Sequence, residues 1–166
     1  MNRAAARGLS FDVLMAYTRG ETRRWYDWFE AHPEALDITI GDGATETVRD
    51  LIIHIFAMEL RGAERLLDEP MSSLEALSTE SLDDIWGIFG RAREKLSIFL
   101  ARADDAALER VVSYHGGPTG TISGRAHRIV GHLLVHGIRH WAQIATGLRQ
   151  QGFEEQWPHD LAGGDG

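Results

Sequence analysis

Histidines at helical spacing are the residues of this sequence with the clearest capacity for chemistry. His132, His136 and His140 follow one another at intervals of four residues, so a helix projects all three from one side. Two histidines at this spacing can hold one metal ion, because neutral imidazole nitrogens bind zinc or nickel and the helix presets the distance between them. The spacing therefore indicates a metal site on this segment.

The apolar face of the segment selects two of these three histidines. Four residues mark that face: Ile129, Leu133, Ile144 and Leu148. On a helical wheel, His140 falls within the apolar arc and His136 lies at its edge, whereas His132 turns toward Arg128 and Arg139. We therefore expect His136 and His140 to face the interior as metal ligands. Four further histidines near predicted helix ends and loops are interpreted as ordinary surface residues: His32, His115, His127 and His159.

A third ligand is expected from another helix. His54 lies in the apolar run of residues 51–56, beside an arc that includes Leu51 and Ile55. A histidine in this position must find a partner, because burying an unpaired imidazole costs free energy. A backbone carbonyl or a carboxylate would serve as well as a metal, so both interpretations of His54 stay open at this point. The pair on the later segment, taken alone, is also compatible with no metal.

The composition indicates one acidic globular domain. The chain has 166 residues, 43% of them hydrophobic and 25% charged, and a formal net charge of -8. This charge disfavours a nucleic-acid partner and an anionic membrane surface. There is no cysteine, which excludes disulfides, thiolate ligands from the chain and a cysteine nucleophile. Without a recognisable signal peptide or spanning segment, we expect a cytoplasmic protein that acts on a small molecule.

The periodicity of apolar residues predicts four long helices that position these histidines. The first and fourth span about residues 10–31 and 125–151, although Gly20 interrupts the first. The second and third begin at capping boxes, in which a hydroxyl side chain precedes a carboxylate by three residues: Thr47 with Asp50 and Ser81 with Asp84. The fold class expected is therefore all-α, a four-helix bundle.

Two connecting segments complete this architecture. Residues 70–77 form a long crossover between the second and third helices. Residues 111–123 combine β-branched and aromatic residues with a Gly-Gly-Pro turn, which predicts a small hairpin or an irregular loop before the fourth helix. We expect a single domain over residues 1–166, with a tail that is loosely ordered from about residue 157.

Two segments of the chain resemble the DinB-like superfamily of damage-inducible metalloproteins. Residues 132–152, with the spacing of His136, His140 and Gln143, resemble the signature of its last helix, and residues 47–59, which contain His54, resemble its second helix. The resemblance implies a four-helix bundle with a metal triad of His54, His136 and His140, and often a homodimer. It also implies kinship with thiol-dependent S-transferases and maleylpyruvate isomerases that use mycothiol, bacillithiol or glutathione, and with metal-dependent hydrolases.

The chain departs from the superfamily pattern beside the last ligand. Many members read His-His-Arg-Gly-Gln, where this chain reads Arg139-His140-Trp141-Ala142-Gln143. Trp141 therefore replaces an arginine that could bind an anion. Arg139 could stand in for it, but its position on the helix points it in another direction.

Three imidazoles leave a fourth coordination position open, which is the pattern of catalytic metal sites. Because the chain has no cysteine, a thiol activated there would come from a small molecule and would be transferred to a small electrophile. The alternative is a hydrolase that uses metal-bound water, or a non-catalytic, stress-related metal-binding protein, so whether the chain is an enzyme stays open.

The candidates for assisting residues are Glu59, as a base, a ligand orienter, a dimer contact or an ion-pair partner, and Gln143, as an orienter or a packing residue. The tryptophans line a pocket in one interpretation and fill the core or a dimer interface in the other.

Overall fold

The computed structural model describes residues 9–115 and 120–163, which form four long helices, one short helix and a hairpin. The long helices are α1 (Phe11–Ala31), α2 (Val48–Leu66), α3 (Leu82–Arg102) and α5 (Ala126–Gln150). Between α3 and α5 lie the short helix α4 (Asp105–Glu109) and the strands β1 (Val111–His115) and β2 (Thr121–Arg125). The expectation of a helical protein with a small hairpin is confirmed in this general form.

Side-chain caps set the helix starts where the sequence predicts them. The Thr47 hydroxyl accepts a hydrogen bond from the backbone N–H of Asp50, and the Asp50 carboxylate accepts one from the backbone N–H of Thr47. Ser81 and Asp84 form the same reciprocal box at α3. These bonds satisfy N–H groups that have no partner within the helix. The start of α2, and with it the position of His54, is therefore defined locally.

The long helices pack in a ring, in which α2 contacts α3 and α5, and α1 contacts the other sides of α3 and α5. Two apolar clusters fill the interior, one around Trp25, Phe56 and Trp141 and one around Leu96 and Leu134. The helices α2 and α5 approach closely at Gly62, where an added Cβ would lie 2.5 Å from Leu133 Cδ2. This close approach brings the histidines of the two helices within reach of each other.

The structure refines the predicted elements in three places. Helix α1 continues through Gly20 without a break, because its buried face packs on both sides of that residue. Helix α4, capped by the Asp104 side chain, was not expected from the sequence. The segment before α5 is a hairpin with antiparallel pairing from Val111↔Arg125 to His115↔Thr121, and its predicted turn at residues 116–119 lies outside the described residues. None of the helices described is both long and apolar enough to cross a membrane.

Candidate metal centre

The structure brings His54, His136 and His140 together between α2 and α5. His54 Nε2 lies 3.2 Å from His136 Nε2, and His140 Nε2 lies 3.2 Å from the same atom. Three ring nitrogens, one from each residue, all lie within 4.8 Å of one another. Tetrahedral zinc with nitrogen ligands at about 2.0–2.1 Å requires nitrogens roughly 3.3 Å apart. The separations therefore fit three ligands of one ion.

Hydrogen bonding among the rings does not account for this arrangement. A neutral imidazole nitrogen carries either one hydrogen or one lone pair in the ring plane, so His136 Nε2 cannot bond well to both neighbours at once. In the described part of the chain, no carboxylate oxygen joins the group within the same distance. The three nitrogens thus form a set of electron-pair donors that one cation would satisfy.

The electrostatic environment keeps these imidazoles neutral, which is the form that binds metal. Burial lowers the pKa of His54, and the neighbouring His140 and Arg139 lower it further. The pKa of His136 is lowered most, to about 3, by burial first and then by the other histidines and Arg139. Burial also lowers the pKa of His140. Proton competition for the site is therefore weak at neutral pH.

Gln143 orients His140 toward the other two histidines. The Gln143 Oε1 atom lies 3.1 Å from His140 Nδ1, and an amide oxygen can only accept a hydrogen bond. The hydrogen of the neutral ring therefore resides on Nδ1, and the lone pair of Nε2 points to the shared centre. Gln143 therefore contacts one of the three clustered histidines, and its role as an orienter of a metal ligand stays a prediction.

Glu59 lies away from this donor set, in the core between α2 and α3. Its carboxylate is 2% exposed and contacts Arg93, with Nη2 donating to Oε2 at 3.2 Å and Nε lying 2.6 Å from Oε1. The Arg93 guanidinium in turn lies 3.1 Å from the sulfur of Met15. Of the roles considered for Glu59, the contacts are those of a buried ion-pair partner. A carboxylate without access to solvent and already paired is unsuited to act as a general base.

The exposed edge of the site carries two further residues of α5. His132 is exposed, and its ring centroid lies 5.7 Å from that of His136. Arg139 is also exposed, and its charge contributes to lowering the pKa of all three clustered histidines. Sequence reasoning placed Arg139 on the wet side without recognising its influence on the site.

A second polar cluster, around Glu21, lies between α1 and the segment after α5. The Glu21 side chain is 4% exposed and accepts hydrogen bonds from the indole N–H groups of Trp25 at 3.1 Å and Trp157 at 3.3 Å. His159 Nδ1 contacts the same carboxylate, and His159 Nε2 lies 3.1 Å from Glu155 Oε1. Sequence reasoning missed this cluster and interpreted His159 as an ordinary surface residue.

The cluster around Glu21 borders a cavity of about 230 Å³ between α1 and α5. Its α5 wall includes Trp141, which is 4% exposed and stacks on Trp25 with ring centroids 5.3 Å apart. Ala145, also in this wall, follows His136 by nine residues, which is about 180° around the helix. The cavity and the clustered histidines therefore lie on opposite faces of α5.

The fold and the histidine site together define a class of helical protein in which two packed helices supply three imidazoles to a possible metal site. The family model for the DinB family matches residues 1–161. The chain therefore belongs to the DinB family, as its two resembling segments predicted. A search of curated proteins finds no match to the chain.

Proposed function

We propose that this protein is a metal-dependent enzyme in which His54, His136 and His140 hold one divalent ion, zinc or nickel. The observation that carries the proposal is the convergence of three ring nitrogens on one point, with pairs 3.2 Å apart. We also propose that the helix ring is a four-helix bundle in which residues 67–81 form the crossover between α2 and α3, and that the protein forms a homodimer.

The chemistry proposed is transfer of a low-molecular-weight thiol to a small electrophile. A divalent ion with an open position favours the thiolate form of a thiol, which is the nucleophilic form. The protein residues contribute the geometry: Gln143 fixes the tautomer of His140, and burial keeps the imidazoles neutral. The half-buried positions of His54 and His136 leave the site accessible from one side.

Two observations favour thiol transfer over hydrolysis. Hydrolysis by metal-bound water is commonly assisted by a base near that water, and Glu59, the base considered from sequence, is paired with Arg93 in the core and does not offer this assistance. No carboxylate of the described residues joins the three histidine nitrogens. Thiol transfer does not require that base, because a thiolate is itself a strong nucleophile. The absence of cysteine means that the thiol is an external co-substrate.

Elemental analysis of untagged protein tests the metal site first. We expect near-stoichiometric zinc or nickel in the wild type and loss of the metal in His54→Ala, His136→Ala and His140→Ala. His132→Ala is the matched control, since it removes an exposed histidine of the same helix and should retain the metal. A wild type that takes up neither metal on reconstitution would exclude the proposed site.

Thiol transfer is then tested with 1-chloro-2,4-dinitrobenzene as the electrophile. In the expected reaction the thiolate sulfur bonds to the ring carbon, the carbon–chlorine bond breaks and chloride leaves, with the thiol proton released to solvent. The rate should depend on a small thiol, on the metal and on His140. Hydrolysis of a nitrophenyl ester without any thiol, combined with no thioether formation, would favour the hydrolase instead.

A further inference from the structure

The cavity between α1 and α5 lies on the face of α5 opposite the three histidines, and the proposed function does not use it. Its volume is about 230 Å³. Three of the residues that line it are buried, namely Thr18, Glu21 and Trp141, whereas Ala142 and Thr146 are exposed. The cavity therefore extends from the surface into the protein and is accessible to a molecule from solvent.

The α5 wall of this cavity is largely apolar and leaves room for a ring system. Ala142 and Ala145 line it with small side chains, and such open space costs stability because packing contacts are lost. An apolar cavity of about 150 Å³ can hold benzene, so the space here suits one or two fused rings. Trp141 adds an aromatic wall, and contacts between aromatic rings are favourable beyond the area that they bury.

The charged residues of the lining are already paired with other residues of the chain. Glu21 contacts both Arg24 and His159. Arg149 pairs with Glu155. An ionic ligand would therefore find no uncompensated opposite charge among the described residues that line the cavity, and burying an unpaired charge costs a large free energy. The lining favours a neutral ligand.

Three hydroxyl groups in the lining have their hydrogens committed to backbone carbonyls. The Tyr17 hydroxyl donates to the carbonyl oxygen of His159 at 2.8 Å. The hydroxyls of Thr18 and Thr146 donate to carbonyl oxygens one turn earlier in their own helices, at 2.7 Å and 2.8 Å. A hydroxyl has one hydrogen but two lone pairs. While these bonds are kept, the three groups can accept a hydrogen bond from a ligand but cannot donate one.

We propose that this cavity is a second binding site, for a neutral aromatic molecule of one or two rings that carries an N–H or O–H donor. The apolar wall buries the rings, and the oxygens of Tyr17 and Thr18 accept the donor. These two hydroxyls are favoured over that of Thr146, which is exposed, because water competes less for buried lone pairs. The inference goes beyond the proposed function and does not depend on a metal ion.

Indole and benzofuran are matched probes of this site. Both have the same two fused rings, but indole carries an N–H donor where benzofuran has a ring oxygen that can only accept. A cavity without acceptors would prefer benzofuran, because it would bury the indole N–H unpaired. We expect isothermal titration calorimetry to show that the wild type binds indole about fivefold more tightly than benzofuran, the scale of one neutral hydrogen bond. Benzoate, which is charged, should not displace indole.

Variants of small residues locate the binding site. Ala142→Leu and Ala145→Leu should each weaken indole binding by about tenfold, because the added carbons occupy space that a ring would fill. Ala101→Leu, at an exposed alanine of α3, is the matched control and should bind indole as the wild type does. His54→Ala alters the histidine cluster but not the cavity, so it should also bind indole normally. Circular dichroism checks that each variant is folded.

Variants of the hydroxyl residues test how the donor is recognised. Tyr17→Phe and Thr18→Val should lower the preference for indole while benzofuran still binds, a change that general loosening of the fold would not produce. Thr146→Val, at the exposed hydroxyl, should keep the preference.

Several results would overturn the inference. It fails if the wild type prefers benzofuran or binds neither probe, or if benzoate displaces indole. It also fails if both alanine variants bind indole as the wild type does, or if neither Tyr17→Phe nor Thr18→Val lowers the preference. Loss of indole binding in His54→Ala would assign the ligand to the histidine cluster and would likewise overturn it. Since none of these measurements depends on metal content, their failure is separate from a failure of the proposed function.

Discussion

Two histidine-containing clusters lie on opposite sides of α5, and they satisfy their polar groups in different ways. Around Glu21, indole and imidazole nitrogens face carboxylate oxygens, so partners from α1 and the C-terminal segment bond to one another. In the cluster of His54, His136 and His140, ring nitrogens face ring nitrogens. The Glu21 carboxylate thus has donors from several residues of the chain, whereas the three histidine nitrogens face one another in an arrangement that a cation would satisfy.

We expect this difference to separate a structural role, for the Glu21 cluster, from the proposed functional role of the histidine cluster. Buried polar groups with internal partners stabilise the fold, because the partners replace the water that the groups lost. Buried groups that share no internal partner cost stability and persist where a ligand or a reaction uses them. Substitutions in the two clusters should therefore destabilise the metal-free protein to very different extents.

The largest expected effect is destabilisation by Glu21→Gln. The substitution keeps the side-chain size but replaces one acceptor oxygen by a donor that faces the N–H groups of Trp157 and Arg24. We expect a loss of about 3 kcal/mol in the free energy of unfolding, as for breaking a buried charged network. Urea denaturation at pH 7 without metal measures it.

A substitution in the histidine cluster should have a small effect on the free energy of unfolding under the same conditions. In metal-free protein, His136→Ala should cost less than about 1 kcal/mol, because it removes an imidazole that has no good internal partner. Asp27→Asn, at an exposed position of α1, controls for the loss of a charge. Equal costs for Glu21→Gln and His136→Ala would contradict the division between the clusters.

Metal should stabilise one cluster and leave the other unaffected. Zinc at one hundred times its dissociation constant should raise the free energy of unfolding of the wild type by about 2.7 kcal/mol, through binding to the folded state alone. Thermal unfolding with and without zinc measures the shift. We expect no shift in His54→Ala, and a full shift in Glu21→Gln despite its lower starting stability. A lost shift in Glu21→Gln would mean that the two clusters are coupled.

Removing the Gln143 amide should weaken metal binding without removing a ligand. Gln143→Ala frees His140 Nδ1, so the ring loses the contact that sets its tautomer and orientation. Outer partners of this kind contribute about tenfold to one-hundredfold in metal affinity. Competition with a chromophoric chelator measures the affinity of wild type, Gln143→Ala and Gln150→Ala, the last being an exposed glutamine of the same helix. An unchanged metal affinity in Gln143→Ala would mean that the contact between Gln143 and His140 contributes only to helix packing.

The sequence could predict the histidine cluster because each of its three histidines lies on a strongly periodic helix. Apolar spacing shows which side of a helix faces inward, and this was sufficient to select His136 and His140 over His132. The capping boxes likewise located the starts of α2 and α3. Local patterns of this kind do not depend on how the helices are arranged in space.

The partners of the buried charges could not be predicted, because they depend on which helices are neighbours. Glu59 pairs with Arg93, 34 residues away on α3, and Glu21 contacts His159, 138 residues away. Periodicity shows that a residue faces inward but does not identify the residue opposite. For the same reason, the effect of Arg139 on His54 depends on the position of α2 against α5, which periodicity does not specify.

A further small effect is expected, a pH dependence of stability that belongs to the histidine cluster. The pKa of His136 is lowered from 6.5 to about 3 by burial and by its charged neighbours. As the pH falls below 6.5, the unfolded chain takes up a proton that the folded chain refuses until about pH 3. Stability from this group is therefore present above pH 6.5 and is lost progressively on acidification through that window.

We accordingly expect metal-free wild type to lose about 1 kcal/mol more than His136→Ala between pH 7 and pH 5, a figure reduced for solvent screening of a half-buried ring. Urea denaturation at pH 7, 6 and 5 measures the difference. His132→Ala should follow the wild type, because His132 is exposed on the same helix. If His136→Ala loses as much stability on acidification as the wild type, the His136 ring of the wild type is not protected from protons. The weak proton competition at the metal site would then have to come from His54 and His140 alone.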